Sequence, residues 1–325
     1  MSSNNDFKPG LEGVVAVETE IMEPDREGGS LRYRGVDVEP LVGKVPYENV
    51  WGLLVDNDLS SKMPDPEPYE PTRLTGNAPA DLQAETARLS GEWKLGKLNE
   101  ISDEQAREDL GRLSAQMMSI VARSARLADG KTDVVPDDVV SRGKTAAEKF
   151  LLRWRGEADP RHVKAIDTYW ICTAEHGLNA STFTARVVAS TGADCGAALS
   201  SAVGALSGPL HGGAPAYVKP MLDEVKRTAK ELGSPYVEVA EELEVAALAA
   251  LQKRSPDRVL ATNVEYYSAV VLDIAEIPPP LAPAMFACSR VAGWSAHILE
   301  QKKTGRLFRP SARYVGPAER DLSLS

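Results

Sequence analysis

A run of small and apolar residues at 193–207 (ADCGAALSSAVGALS), closed at once by Gly208-Pro209, restricts the architecture more than any other feature of the chain. Side chains this short let neighbouring helices approach from several sides, which is the composition of a central helix in an all-α domain. The residue before a proline avoids the α region and proline cannot continue the hydrogen-bond ladder, so the helix must end there. His211-Gly212-Gly213 is thereby forced into a glycine-loosened turn, and a further helix is expected near Pro215.

Helical spacing dominates the rest of the chain. It sets in over Val36 to Val55, returns at about 80–90 and 103–128, and recurs in amphipathic stretches at 236–253, 263–275 and 284–303. Asp159-Pro160 is a strong start, a side-chain cap followed by proline at the first helical position. Val163, Ile166 and Trp170 follow at helical spacing until Gly177 interrupts, and Asn179 can cap a new helix carrying Phe183, Val187 and Val188 that Gly192 closes. Met63 to Thr72, with four prolines, reads as an extended connector. The one convincing β signal is a hairpin, residues 14–21 (VVAVETEI) and 31–34 (LRYR) around the turn-rich PDREGGS. The expected class is therefore mainly α with a small N-terminal β-hairpin.

At 325 residues the chain is about two domains long, enough for a sufficient core without staples. Asp and Glu outnumber Lys and Arg, 47 to 37, so the overall field repels phosphate backbones and anionic lipid and points away from nucleic acid and membrane partners. An anionic ligand would need local Arg and His to override that background. Cys172, Cys195 and Cys288 lack metal-ligand spacing and read as buried free thiols in a reducing compartment. The N-terminus MSSNNDFKPG has no basic region leading into an apolar one, and a cytoplasmic location is expected.

Several chemistries lack their signatures. Gly130-Lys131-Thr132 and Gly143-Lys144-Thr145 resemble the end of a phosphate-binding loop, but Ala125 and Asp138 stand where the leading glycine belongs. No GxGxxG, HExxH or GxSxG occurs. Candidate groups remain. His211, in SGPLHGGAP, lies where the positive end of a helix dipole would keep its imidazole neutral and able to donate one hydrogen bond to a developing enolate oxygen; the plain alternative is a helix-capping histidine. His176, in AEHGLNAST, sits at a helix break that frees backbone donors for an anion, and a satisfied core histidine is equally open. Glu265 follows Thr262 by three, a capping box that explains it without any chemistry, although the apolar run Tyr266 to Leu272 could raise its pKa to that of a general base. Arg290 shares a helical stripe with Gly293, Trp294 and His297, so it needs a carboxylate partner or an anionic ligand. Trp294 and His297 read as packing residues, and Arg309, in an extended arm, as a solvated charge.

Taken together, GLEGVVAVETEI, LRYRGVDVEPLV, EHGLNASTFTARVVASTGAD, SGPLHGGAP, TNVEYYSAVVLD, SRVAGWSAHILEQ and RPSARYVG resemble the citrate synthase family, and within it the actinobacterial citrate synthase 2 branch. The resemblance runs in order over nearly the whole chain. It implies a two-domain helical homodimer, with residues 1–212 and 277–325 forming a large domain and 213–276 a small one that closes over acetyl-CoA. It further implies that His176 holds oxaloacetate, Arg290 clamps one of its carboxylates, and Arg309 reaches across the dimer to the other. His211 would hydrogen-bond the thioester oxygen while Glu265 removes a methyl proton. Acetyl-CoA would be a co-substrate, with no tightly bound cofactor and no metal.

Two departures stand out. Most of the family has Asp where this chain has Glu265. After YVKPMLDEV the family continues for a few tens of residues, including a GFGHRVY-type motif with a third active-site histidine and a nearby arginine, whereas here Val225 joins Lys226 directly. That join has no turn residue, which favours a stretch left out over a chain built to do without it. The expected reaction is condensation of acetyl-CoA with oxaloacetate and water to citrate and CoA. The alternatives are a 2-methylcitrate synthase using propionyl-CoA and an impaired paralogue that only binds oxaloacetate or acyl-CoA.

Overall fold

The computed structural model describes residues 7–11, 13–24, 31–71, 73–211, 219–254 and 264–318, without the side chains of residues 24, 219–223 and 264–266. Three short antiparallel strands, β1 (Met22–Pro24), β2 (Leu31–Tyr33) and β3 (Val36–Asp37), open the chain in that order, Met22 pairing with Tyr33 and Tyr33 with Val36. The β element is thus real but shifted. Residues 14–19 carry no strand, and the turn after Tyr33 adds a third strand where helical spacing was expected. Helix α1 is confined to Tyr47–Asp56. Pro40 and Pro46 explain the late start, since neither can donate to a helical ladder and Pro46 fits only the N-terminal edge.

Long helices follow: α2 (Ala78–Glu92), α3 (Asp103–Ala128), a single turn α4 (Asp137–Val140) and α5 (Ala146–Arg155). The sequence reading missed α5, although Thr145 caps it by accepting from Glu148 N–H and Glu148 reaches back to Lys144 N–H. Next come α6 (Pro160–Thr173), α7 (Ala180–Ser190) and α8 (Cys195–Leu206), whose caps Asp159, Asn179 and Asp194 each accept from a backbone N–H of the first turn. Beyond the break at Gly208-Pro209 lie α9 (Lys219–Glu231), α10 (Val237–Arg254), α11 (Val264–Ile274) and α12 (Ala282–Thr304). The helix start expected near Pro215 falls outside the described residues. The Val225-Lys226 join lies inside α9, with Val225, Thr228 and Ala229 buried.

The 193–207 run is buried among α2, α3, α7 and α12, but the most central element is α12, which packs on α1, α3, α6, α7 and α8. Trp51, Trp154, Trp170 and Trp294 are fully buried, and Trp170 sits 5.5 Å from the rings of both Tyr47 and Phe150. On the other side of α6, α9 and α11 pack on it and on each other. The three cysteines are buried free thiols. Among the described residues no single helix is long and apolar enough to cross a membrane.

Pro46 offers no side-chain cap to α1, and Asp167 of α6 supplies one, accepting from Tyr47 N–H at 2.9 Å. Burial pushes the Asp167 carboxyl up to about 7, with Glu48 adding to the rise and the Tyr47 hydrogen bond opposing it. Between the ordinary value of 3.8 and about 7 the folded chain holds the extra proton, so stability falls as pH rises through that window. Asp167→Asn keeps an oxygen acceptor without the charge. The variant is expected to be more stable than the parent at pH 8 and to lose that advantage towards pH 4, read from urea midpoints; no gain at pH 8 would contradict the burial argument.

Candidate active site

The chain between α6 and α7 turns sharply at Gly177, whose φ of +69° suits glycine. Just before it stand Glu175 and His176, and just after it Asn179 caps α7 by accepting from Thr182 N–H at 3.1 Å. The sheet pins this corner from below: the buried Tyr33 hydroxyl donates to Ile171 O at 3.0 Å and accepts from Glu175 N–H at 3.4 Å. The N-terminus of α7 is therefore fixed in place, with Ser181 N–H turned to a spot beyond the helix end.

His211 occupies that spot. Ser181 N–H, in the first turn of α7, donates to His211 Nε2 at 3.3 Å, and Ser181 Oγ lies 3.0 Å from the same nitrogen. Ser181 Oγ in turn donates to Asn179 Oδ1 at 2.8 Å and accepts from Trp294 Nε1 at 3.2 Å. A nitrogen that accepts from an amide must carry a lone pair, so in the neutral ring the proton resides on Nδ1, which is left to donate. The helix whose positive end meets His211 is α7, brought there from thirty residues upstream. Burial lowers the His211 pKa, and the nearby Arg290 charge lowers it further. His176 is shifted the same way by burial and then Arg290, with Glu175 opposing. Both rings are therefore neutral at pH 7.

Arg290 enters from α12 and is only 4% exposed. Its guanidinium lies over the Phe286 ring, 4.7 Å from the centroid, and its Nε and Nη1 have no hydrogen-bond partner among the described residues. Unpaired N–H groups on a buried cation are costly unless an acceptor arrives. Beside it a cleft of about 430 Å³ runs between the His211 turn and α11, lined among others by Thr173, His211, Ser268, Leu272 and Phe286. Its walls are largely apolar, with a few polar groups among them, as expected of a small-molecule site.

The structure thus gathers His176, His211 and Arg290. Glu265 is the second residue of α11, one to two turns ahead of Ser268 and Leu272, and its side chain lies outside the described residues, as does the Thr262 of the supposed capping box. Arg309 is not gathered. It is exposed, and its neighbour Phe308 docks on Phe183 and Ser190 of α7, about 14 Å along that helix from Ser181 at 1.5 Å per residue. Three groups escaped the sequence reading. His297, taken as packing, hydrogen-bonds Glu175 Oε1 at 3.2 Å and Arg186 Nε at 2.9 Å; Glu175 and Arg186 were not singled out at all. The stripe Arg290-Gly293-Trp294-His297 was the available signal, since Trp294 meets Ser181 of α7 and His297 meets Glu175 of the α6–α7 corner and Arg186 of α7.

Two overlapping stretches of the chain, residues 10–232 and 225–311, match the family model described as citrate synthase, C-terminal domain. The chain belongs to the citrate synthase family. A protein of Mycobacterium tuberculosis named "Putative citrate synthase 2" is 49% identical over 353 residues, covering 97% of this chain and 94% of the relative. The alignment is longer than the 325 residues of this chain, so it includes positions where the relative has sequence and this chain has none. The 2-methylcitrate synthase of Shewanella oneidensis is 30% identical, covering 96% of each. The citrate synthase of Thermoplasma acidophilum, solved in ternary complex with carboxymethyl coenzyme A and oxaloacetate, superposes with a TM-score of 0.77 at 25% identity, covering 97% of this chain and 98% of that one. The expectation of a citrate synthase-like, mainly helical fold is borne out, and the protein is an acyl-transferring enzyme of the citrate synthase type.

Proposed function

We propose that this enzyme condenses acetyl-CoA with oxaloacetate and water to give citrate and CoA. The observation that carries the reading is His211: a neutral imidazole, its Nε2 occupied by Ser181 N–H, borders the same cleft as α11, the helix that bears Glu265. A proton donor on the thioester oxygen and a carboxylate at the methyl carbon together lower the cost of forming a carbanion from a very weak acid. Glu265 takes the methyl proton while His211 hydrogen-bonds the carbonyl oxygen. The enol carbon then attacks the ketone of oxaloacetate, whose oxygen gains a proton to become the citryl hydroxyl. Water cleaves the citryl thioester and CoA leaves as its thiol. His176 holds oxaloacetate and Arg290 clamps a carboxylate with the N–H groups that are unpartnered in the structure. No tightly bound cofactor enters any step.

The reading extends to assembly. Residues 1–212 and 277–325 form the large domain and 213–276 the small one, which closes to exclude water until condensation is done. Arg309 serves the second carboxylate from a partner subunit, consistent with its exposure and its distance from His211 along α7. A segment is missing after Val225, as the two-part family match also suggests.

The test is thiol release. Purified protein is expected to free thiol from acetyl-CoA only when oxaloacetate is present, with cytoplasmic concentrations of both sufficing. Faster turnover of propionyl-CoA would favour the 2-methylcitrate reading, for which the Shewanella oneidensis relative is the support; one methylene shifts selectivity by about 1 to 3 kcal/mol. Inactivity of a protein whose intact mass is 35.0 kDa would overturn catalysis in favour of a paralogue that only binds oxaloacetate or acyl-CoA.

A further inference from the structure

Behind the candidate site runs a buried chain of polar groups that the condensation steps do not use. Arg186 of α7 donates from Nε to His297 Nδ1 at 2.9 Å and from Nη1 to Gln301 Oε1 at 3.0 Å, and its Nη2 pairs with Glu300. A guanidinium has no acceptor, so His297 Nδ1 must be the lone-pair nitrogen. The ring proton is therefore on Nε2, which donates to Glu175 Oε1 at 3.2 Å. The same oxygen accepts from Gly177 N–H.

Glu175 is fully buried, and its other oxygen, Oε2, has no partner among the described residues. It reaches that place because residue 293 is glycine: a Cβ there would overlap Glu175 Oε2 and stand 2.8 Å from Ala174 O. Arg290 lies one turn before Gly293 on α12, within electrostatic reach of Glu175, and two of its own nitrogens are unpartnered. A buried carboxylate and a buried guanidinium, each with unsatisfied atoms and neither hydrogen-bonded to the other, are expensive as pure scaffold. The Arg290 nitrogens are intelligible as donors held open for an anionic ligand, with the buried Glu175 charge fixing where the guanidinium sits. Glu175 also adjoins His176 in the chain, so its orientation sets the start of the turn that carries that ring.

We propose that Glu175 is a positioning residue: steered by His297, and through it by Arg186, its carboxylate holds Arg290 and the His176 turn in the pose that receives a dicarboxylate. The inference rests on the proposed reaction for the identity of that dicarboxylate, and on the geometry alone for the steering. Glu175→Gln is expected to weaken oxaloacetate binding by about 10- to 100-fold, the worth of one charge-assisted contact, while leaving the KM for acetyl-CoA within roughly twofold. His297→Leu should match it, and His297→Gln, which can offer both a donor and an acceptor, should recover most of the loss. If both Michaelis constants move together, or oxaloacetate affinity is unchanged in Glu175→Gln, the positioning role is overturned. Nitrogen NMR of the His297 ring at pH 7.5 should report the Nε2–H tautomer, with that signal displaced in Glu175→Gln; the Nδ1–H tautomer would overturn the steering chain. Wild-type protein that binds no oxaloacetate in calorimetry would sink the proposed reaction, while the ring tautomer would still decide whether Arg186 and His297 steer Glu175.

Discussion

His211→Ala is expected to lower turnover by about 10²- to 10⁴-fold, the range for losing a positioned acid–base or oxyanion group, with little change in oxaloacetate affinity. The ring is half-buried rather than part of the core, so the fold should survive and the loss should appear in kcat. Its role depends on being neutral. Burial and the Arg290 charge both lower its pKa, so acidification towards pH 6 brings no gain in rate, because protonation would set a second positive charge beside Arg290. Glu265→Gln, which removes the proposed base and keeps its shape, should produce a loss of the same order. Steady-state kinetics with thiol detection, paired with calorimetry of oxaloacetate, separates chemistry from binding. Turnover near that of the parent in either variant would remove these two residues from the mechanism.

Much of the fold was legible because its signals are local. Asp159, Asn179 and Asp194 cap the helices they announce, and Gly208-Pro209 ends α8 where proline must. The errors arose where local spacing competes with longer-range geometry. Val36 to Val55 has helical periodicity, yet Val36 pairs with Tyr33, because a third strand completes an edge that no window of sequence reveals. Of the site, His211 was visible from its costly turn and Arg290 from a charge in an apolar stripe. What covers them was not. Ser181 meets His211 across 30 residues, and Glu175 meets His297 across 122. Neither pairing has a spacing rule, since the first depends on how α7 packs on α8 and the second on how α12 passes the α6–α7 corner. Calling His297 a packing residue was correct about its burial and wrong about its hydrogen bonds.

Arg290→Leu carries the other large expected effect, on binding instead of chemistry. Truncating one member of a buried charge pair commonly costs about 2 to 5 kcal/mol of affinity, roughly 30- to several-thousand-fold. The upper part of that range is expected here, because Arg290 is 4% exposed and any carboxylate it receives is screened very little. Leucine can fill the volume against Phe286 but offers no donor. Two further changes should accompany the loss. Against burial, Arg290 helps His297 hold the Glu175 carboxyl below its usual range, so its removal lets that carboxyl rise towards its ordinary value and makes stability less sensitive to pH in the acid range. It also depresses the pKa of His176 and His211, so both rings should take up protons at higher pH in the variant. Titration of the ring protons by NMR checks the second, and calorimetry with oxaloacetate checks the first-order claim. Oxaloacetate bound as tightly by Arg290→Leu as by the parent would mean that the unpartnered guanidinium serves some other anion.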